Sequence, residues 1–207
     1  VGVAGGSSRA RVVFFSLQTG QQVAAINQMH NSTIKRLLWI NSTVFASCSE
    51  DMSIKFWDVA RLTNVHNISN AHTNGIYGMV LAAERTLVSV SLDHTGRVWD
   101  LDTYSLLGVY TNHSDGILSA ILLSDGRILS ASDDLTVKAW NHTTLETGLT
   151  INVGYSIKAL AEVSTSESIL ATGGLELLVK LWSLRSGCVL ACLPAGQTAF
   201  VYRLVVY

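Results

Sequence analysis

Three carboxylates, Glu50, Asp51 and Asp58, crowd around a tryptophan in the stretch SEDMSIKFWD, residues 49–58. Acids so placed could ligate a divalent cation or share acid and base work. His30, His72 and His113 add imidazole nitrogens of the kind zinc prefers. Gly5-Gly6 and Gly173-Gly174 raise the question of a phosphate cradle. Three cysteines, Cys48, Cys188 and Cys192, are an odd number at no metal-ligand spacing. Cys188 and Cys192 lie four apart in an extended-looking run, about 13 Å between Cα atoms and too far for a disulfide. All three are expected to be small packed hydrophobes.

What must position these groups is a repeat. Aligned on the tryptophan, the string returns as LDHTGRVWD (92–100) and DDLTVKAWN (133–141), and more weakly as LELLVKLWS (175–183) and SRARVVFFS (8–16). The anchors Phe15, Trp57, Trp99, Trp140 and Trp182 are spaced 42, 42, 41 and 42 residues apart. Each copy reads as four short strands; in the second these are residues 33–39, 44–48, 53–57 and 63–68. Turn pairs such as Thr19-Gly20, Thr95-Gly96, Asp125-Gly126 and Ser186-Gly187 mark the joins. The single proline, Pro194, is expected in a connection, where no ladder hydrogen bond is needed. Helical periodicity of useful length is absent, and a period near 42 with four strands per copy is the pattern of propeller blades.

On these motifs the chain resembles the WD-repeat β-propeller family over nearly its whole length: a His opens the repeat, a Ser and an Asp follow, and Trp-Asp closes the third strand. The resemblance implies an all-β fold of four-stranded WD-type blades, one domain over residues 1–207. The blades would be 1–29 with 197–207, then 30–71, 72–112, 113–154 and 155–196. It also implies a buried relay in each blade: His30, Ser47, Asp51 and Trp57 in the second, His72, Ser89, Asp93 and Trp99 in the third, His113, Ser130, Asp134 and Trp140 in the fourth. A buried carboxylate costs several kcal/mol unless paired and hydrogen-bonded, which an imidazole, a hydroxyl and turn N–H groups can supply. The fifth copy has Tyr155, Thr172, Glu176 and Trp182, compatible with a distorted relay; the first has Gly5, Arg9 and Phe15, with which none can form. These two blades are expected to hold by packing alone and to be the least rigid.

The ends are in phase. The chain opens on a second strand and ends, at residues 200–206, on a stretch matching a first strand, with Gly196-Gln197 where Gly-His would stand. Trp182 to Phe15 across that join is 40 residues, close to the period. The C-terminal strand could thus complete the N-terminal blade as the family's strand-exchange closure does. The family mostly closes with seven or eight blades, so a closed ring of five, an incomplete ring and a ring shared between chains all remain open.

Within this frame the acids divide. Asp51 faces inward as scaffold, Asp58 ends a strand, and Glu50 falls at a position whose identity varies (Leu92, Asp133, Leu175) and is expected on the surface. The histidines, one per blade, are too dispersed for one zinc site, the paired glycines end second strands, and no nucleophile–base–orienter set stands out. No catalytic residue, metal or cofactor is expected. Partners of the family usually dock on the face carrying positions three and five after the His. Here these include Thr33 and Lys35, Gly75 and Tyr77, Gly116 and Leu118, Lys158 and Leu160, Phe200 and Tyr202. Leu118 and Leu160 read as core; Lys35, Tyr77, Lys158, Phe200 and Tyr202 are the partner-binding candidates.

Composition bounds the partners. Nearly half the residues are hydrophobic but only 14% are charged, at a net charge of −1, which argues against nucleic acid or anionic lipid. No apolar run is long enough to span a bilayer as a helix. The chain opens with Val and shows no signal peptide, as expected of a processed protein or a piece of a longer one. Five Asn-x-Ser/Thr sequons, at Asn31, Asn41, Asn67, Asn112 and Asn141, exceed the roughly two that chance allows, making glycans a possibility and tilting the location slightly towards the cell exterior. The unpaired cysteines and the family's usual home pull back. Two non-enzymatic readings follow: an assembly platform, in one variant a glycosylated structural subunit of an extracellular filament or coat; and an intracellular adaptor binding a peptide or protein on the ring face.

Overall fold

The second strand of each copy is a continuous run of small and apolar residues, as a strand covered on both faces requires. A computed structural model of the chain describes residues 2–4, 10–176, 178–194, 201 and 204. In it these runs are β5 (Val44–Ser49), β9 (Thr86–Ser91), β13 (Ile128–Ser132) and β17 (Ile169–Gly174), buried from the second residue onward or throughout. The outermost strands instead alternate or lie open. β15 (Thr147–Asn152) buries one side chain fully, and β19 (Val189–Pro194) none.

The described residues form nineteen strands in five antiparallel sheets. The first sheet has three, β1 (Gly2–Ala4), β2 (Ala10–Phe15) and β3 (Gln22–His30), in that order. The second runs β4 (Ile34–Trp39), β5, β6 (Ile54–Asp58), β7 (Thr63–Ile68); the third β8 (Ile76–Ala83), β9, β10 (Gly96–Asp100), β11 (Leu106–Tyr110). The fourth is β12 (Ile117–Leu122), β13, β14 (Thr136–Trp140), β15, and the fifth β16 (Ile157–Ser164), β17, β18 (Leu178–Ser183), β19. Each is a meander in which consecutive strands pair. The chain divides into two compact units, Val1–Tyr77 and Gly78–Tyr207, the division falling inside β8.

One irregularity recurs in all five sheets. Where the third strand pairs with the outermost, the register shifts at the anchor: Phe14/Phe15, Phe56/Trp57, Val98/Trp99, Ala139/Trp140 and Leu181/Trp182. The outer strand carries one extra residue there, Val23, Val65, Leu107, Gly148 or Leu190. The extra residue has no partner across the ladder and is extruded. That accounts for the exposure of Val23 (65%), Val65 (49%), Leu107 (59%) and Leu190 (54%).

In the first unit the core is Val12, Phe14, Ile26, Met29, Phe45 and Trp57, with Phe14 edge-on to Phe45 at 6.0 Å. In the second, one cluster joins the third and fourth sheets around Val88, Val98, Tyr110, Ile117, Ile128 and Trp140. Another joins the fourth and fifth around Leu129, Val137, Ile157, Leu170 and Trp182. Trp140, fully buried, stacks on Tyr110 with ring centres 4.2 Å apart.

Two expectations are corrected here. Cys48 is buried, but Cys188 and Cys192 are exposed. Cys192 lies in β19 and Cys188 just before it; among the described residues this outermost strand pairs with β18 alone, so side chains there stay in solvent. Pro194 is not in a connection; it ends β19 opposite Leu178, and an edge strand tolerates the missing donor. Gly5, Gly6, Arg9, Gly196, Gln197, Phe200 and Tyr202 lie outside the described residues. Val201 is buried, and its N–H donates to Gly174 O at 3.1 Å.

Candidate functional site

In the fourth sheet one chain of hydrogen bonds runs from strand to loop to turn. Trp140 Nε1–H donates to Ser130 Oγ at 3.1 Å, and His113 Nε2 lies 2.8 Å from the same oxygen. His113 Nδ1 lies 2.7 Å from Asp134 Oδ2. With a neutral imidazole every group is used once: indole to hydroxyl, hydroxyl to Nε2, Nδ1–H to carboxylate. Burial holds His113 below its ordinary pKa despite the adjacent carboxylate, which favours that neutral form. Asp134 also accepts the Ser114 N–H (3.1 Å), the Thr136 N–H (2.9 Å) and the Thr136 hydroxyl (2.6 Å). Burial alone would raise its pKa; the bonds from Thr136 and His113 outweigh that and hold it down.

The second sheet repeats the arrangement. Trp57 Nε1–H donates to Ser47 Oγ (2.9 Å), His30 Nε2 sits 2.6 Å from that oxygen, and His30 Nδ1 reaches both oxygens of Asp51 at 3.0 and 2.9 Å. Asn31 N–H and Ser53 complete the carboxylate's shell, and Asp51 too is held well below the usual range. In the third sheet Trp99 Nε1–H donates to Ser89 Oγ at 2.9 Å, Asp93 accepts the Thr95 N–H and hydroxyl, and His72 is buried.

Two members of each set were missed by reading the sequence. Ser49, Ser91 and Ser132, two residues before the Asp, accept its N–H at 3.0–3.1 Å. Ser53, Thr95 and Thr136, two residues after, donate to its carboxylate. The pattern Ser-x-Asp-x-Ser/Thr stands in all three repeats and could have been found in the same alignment. Between them Met52, His94 and Leu135 adopt left-handed backbone, φ +65 to +69°, a conformation costing about 1–2 kcal/mol outside glycine. The bonds around each Asp hold that turn in place.

The fifth sheet does not rest on packing alone, contrary to expectation. Tyr155 OH lies 3.0 Å from Thr172 Oγ1, which accepts the Trp182 indole N–H at 2.8 Å. Glu176 pairs with Lys180 at 2.7 Å, and Lys180 Nζ sits 4.4 Å from the centre of the Tyr155 ring. A phenol thus stands where an imidazole stands elsewhere, and a glutamate paired with Lys180 takes the place of the aspartate. Tyr155→Phe removes the hydroxyl and should cost about 1 kcal/mol, measured as a lower denaturant midpoint; an unchanged midpoint would show that the hydroxyl bonds nothing of consequence.

Backbone register also shifts one candidate. Glu50 N, Asp133 N and Leu175 N donate to the carbonyls of Thr33, Gly116 and Ser156. Ser156, not Lys158, therefore matches Thr33 and Gly116, and Lys158 matches Lys35 and Leu118. The connection into β16 is two residues shorter after Tyr155 than the one into β12 after His113. Leu160, read from the sequence as core, is buried in it.

Glu50 is not a free surface acid. Its Oε1 accepts Lys35 Nζ at 2.7 Å and Tyr77 OH at 3.0 Å, and its Oε2 accepts Ser32 Oγ at 3.3 Å. Lys35 Nζ lies 4.5 Å from the Tyr77 ring centre, a cation–π distance. The bond from Lys35 holds the Glu50 carboxyl below its usual range, and burial raises the Tyr77 hydroxyl. In the second unit Asp133 plays the corresponding part, accepting the Ser156 hydroxyl with Lys158 Nζ 3.9 Å away. The five sequon asparagines are all exposed, and the Asn112 side-chain amide donates to Thr147 Oγ1 at 2.9 Å. Among the described residues no three His, Cys, Asp or Glu side chains gather as a metal ion would require.

Four-stranded sheets repeating every 42 residues or so, two of them tied by a full Trp–Ser–His–Asp chain and a third by its Tyr–Thr–Trp variant, define a class of repeat proteins that generally serve as non-enzymatic protein-interaction scaffolds. The family model described as WD domain, G-beta repeat matches residues 21–58, 63–100 and 104–141. That is more than half of the chain, which belongs to the WD40 repeat family. It is 21% identical to human DDB1- and CUL4-associated factor 10 and 31% identical to Arabidopsis thaliana WD repeat-containing protein 55, over 98 residues in each case. It is 27% identical over 97 residues to the F-box/WD repeat-containing protein sel-10 of Caenorhabditis elegans. Each match covers 47% of this chain but only 18%, 28% and 16% of the relative.

Proposed function

We propose that the chain is a non-enzymatic, intracellular WD-repeat adaptor that holds a peptide or protein through Lys35 and Tyr77, at the start of first strands. The observation that carries this reading is the Glu50–Lys35–Tyr77 cluster. A carboxylate fixes a cation and a phenol side by side, with the Lys35 and Glu50 side chains 26% and 32% exposed. Preset aromatic and charged groups are what interface anchors are made of, because little side-chain entropy is lost on binding. The names of the relatives, one tied to DDB1 and CUL4 and one to an F-box, lend support to an adaptor.

Proximity labelling in cells followed by direct titration of the recovered partner tests it. Tyr77→Ala with Lys35→Ala is expected to weaken binding by about tenfold or more while the melting temperature falls by no more than a few degrees. Undiminished affinity in that variant would remove these residues from the interface. The reading as a glycosylated structural subunit is favoured only by the exposure of all five sequon asparagines. The intact mass of native material, with or without added hexose, decides it.

A further inference from the structure

Donors from three places meet on one carboxylate. Glu50 Oε1 accepts Lys35 Nζ from β4 and Tyr77 OH from β8, and its Oε2 accepts Ser32 Oγ from the loop between β3 and β4. An irregularity of β4 places the lysine: Ile34 pairs with Ser49 and Arg36 with Cys48, so Lys35 is an extra residue with no partner across the ladder. Such an insertion re-aims the side chain it carries. Gly75 leaves the room, since a Cβ there would stand 3.3 Å from Glu50 Cα and 3.4 Å from Tyr77 Cε2. The turn itself asks for no acid. Leu92 and Leu175 hold the place of Glu50 in the third and fifth sheets.

We infer that Lys35, Tyr77 and Ser32 form a carboxylate-binding site which Glu50 fills from within, and that the ligand displacing it is an acidic side chain of the protein partner. The identity of that ligand rests on the function proposed above; the site does not. An ammonium and two hydroxyls converging on one point suit a group with acceptor positions and a negative charge. A cationic or apolar side chain placed there would leave all three donors unpaired. An incoming carboxylate takes over the same bonds, and the donors need not be ordered afresh.

Exchange is open to solvent. The Glu50 side chain is 32% exposed and that of Lys35 26%, so the displaced carboxylate has water to enter and the ligand a path to the ammonium. Until then Glu50 competes as a tethered ligand, at an effective concentration set by its own short side chain. The partner's apparent affinity is lowered by the fraction of molecules in which the site stands open. Glu50 is in this sense an autoinhibitory contact. It keeps the donors positioned and sets a threshold that a weakly acidic or badly placed ligand does not cross.

Sodium acetate, close in size to the group that Glu50→Ala removes, is the probe. It is titrated against sodium chloride of equal ionic strength while the backbone amide resonances of Ser32, Lys35 and Tyr77 are followed. Acetate should shift them saturably in Glu50→Ala, with an affinity about tenfold or more above that of the wild type, and adding Lys35→Met should abolish the response. Glu50→Ser opens the same space should the alanine variant fail to fold. Equal responses in wild type and variant, or shifts that chloride reproduces, would overturn the site whatever any partner does. With a partner that needs Lys35, Glu50→Ala should bind on the order of tenfold more tightly; unchanged or weaker binding would overturn the autoinhibition. Saturable acetate binding beside a partner indifferent to Lys35 and Tyr77 would uphold the site and sink the proposed interface.

Discussion

Trp140→Ala should lower stability by about 4 kcal/mol, at the upper end for a buried aromatic. Trp140 is fully buried, stacks on Tyr110, and ties its indole N–H to Ser130. Truncation opens a cavity at the meeting of the third and fourth sheets and also leaves the Ser130 hydroxyl short of a donor. Chemical denaturation reads the loss as a lower midpoint at an unchanged slope. Trp140→Phe separates the two parts: it keeps much of the stacking, so a smaller loss of about 1–2 kcal/mol would belong mainly to the indole hydrogen bond. Equal losses in the two variants would mean the packing matters little, against what the burial implies.

Asp134→Ala should cost about 3 kcal/mol near neutral pH, because it strands His113 Nδ1–H, Ser114 N–H and both Thr136 donors at once. The sign of its pH dependence follows from the two shifted groups. Asp134 is depressed when folded, so its contribution is present above the unfolded carboxyl pKa and fades as pH falls towards the folded one. His113 is also depressed, so the unfolded chain takes up a proton before the folded one does, and stability drops as pH falls below the ordinary histidine value. Both act in the same direction: the wild-type melting temperature should fall on acidification from neutral. The gap between wild type and Asp134→Ala should narrow in the acid range, where Asp134 loses its charge. A gap that stays constant with pH would deny the carboxylate its place in the relay.

The period, the strand boundaries and the relay positions were legible because each repeats within the chain, so four copies vouch for one another. What escaped notice depends on neighbours that differ from copy to copy. Glu50 looked variable because Leu92, Asp133 and Leu175 share its place, yet variability there follows from the residue each one meets, Tyr77 for Glu50 and Ser156 for Asp133. The role of Tyr155 was open for a similar reason. A phenol reaches the hydroxyl of Thr172 from a connection two residues shorter, and residue-by-residue alignment has no measure for reach. The exposure of Cys188 and Cys192 reflects pairing on one side only, which no local run of residues declares.

The extruded residue in each outer strand has a consequence for solubility. Among the described residues every sheet ends in a strand paired on one side only, and a chain with few charges has little repulsion to keep two such rows of backbone N–H and C=O groups apart. An extra residue inserted near the start of the row breaks its spacing and strengthens its twist, so a second straight strand cannot match it bond for bond. Val23, Val65, Leu107 and Leu190 thus act as gatekeepers through the backbone position they occupy, despite apolar side chains that would ordinarily invite association. The protection should be lost by deleting the residue, not by changing its chemistry.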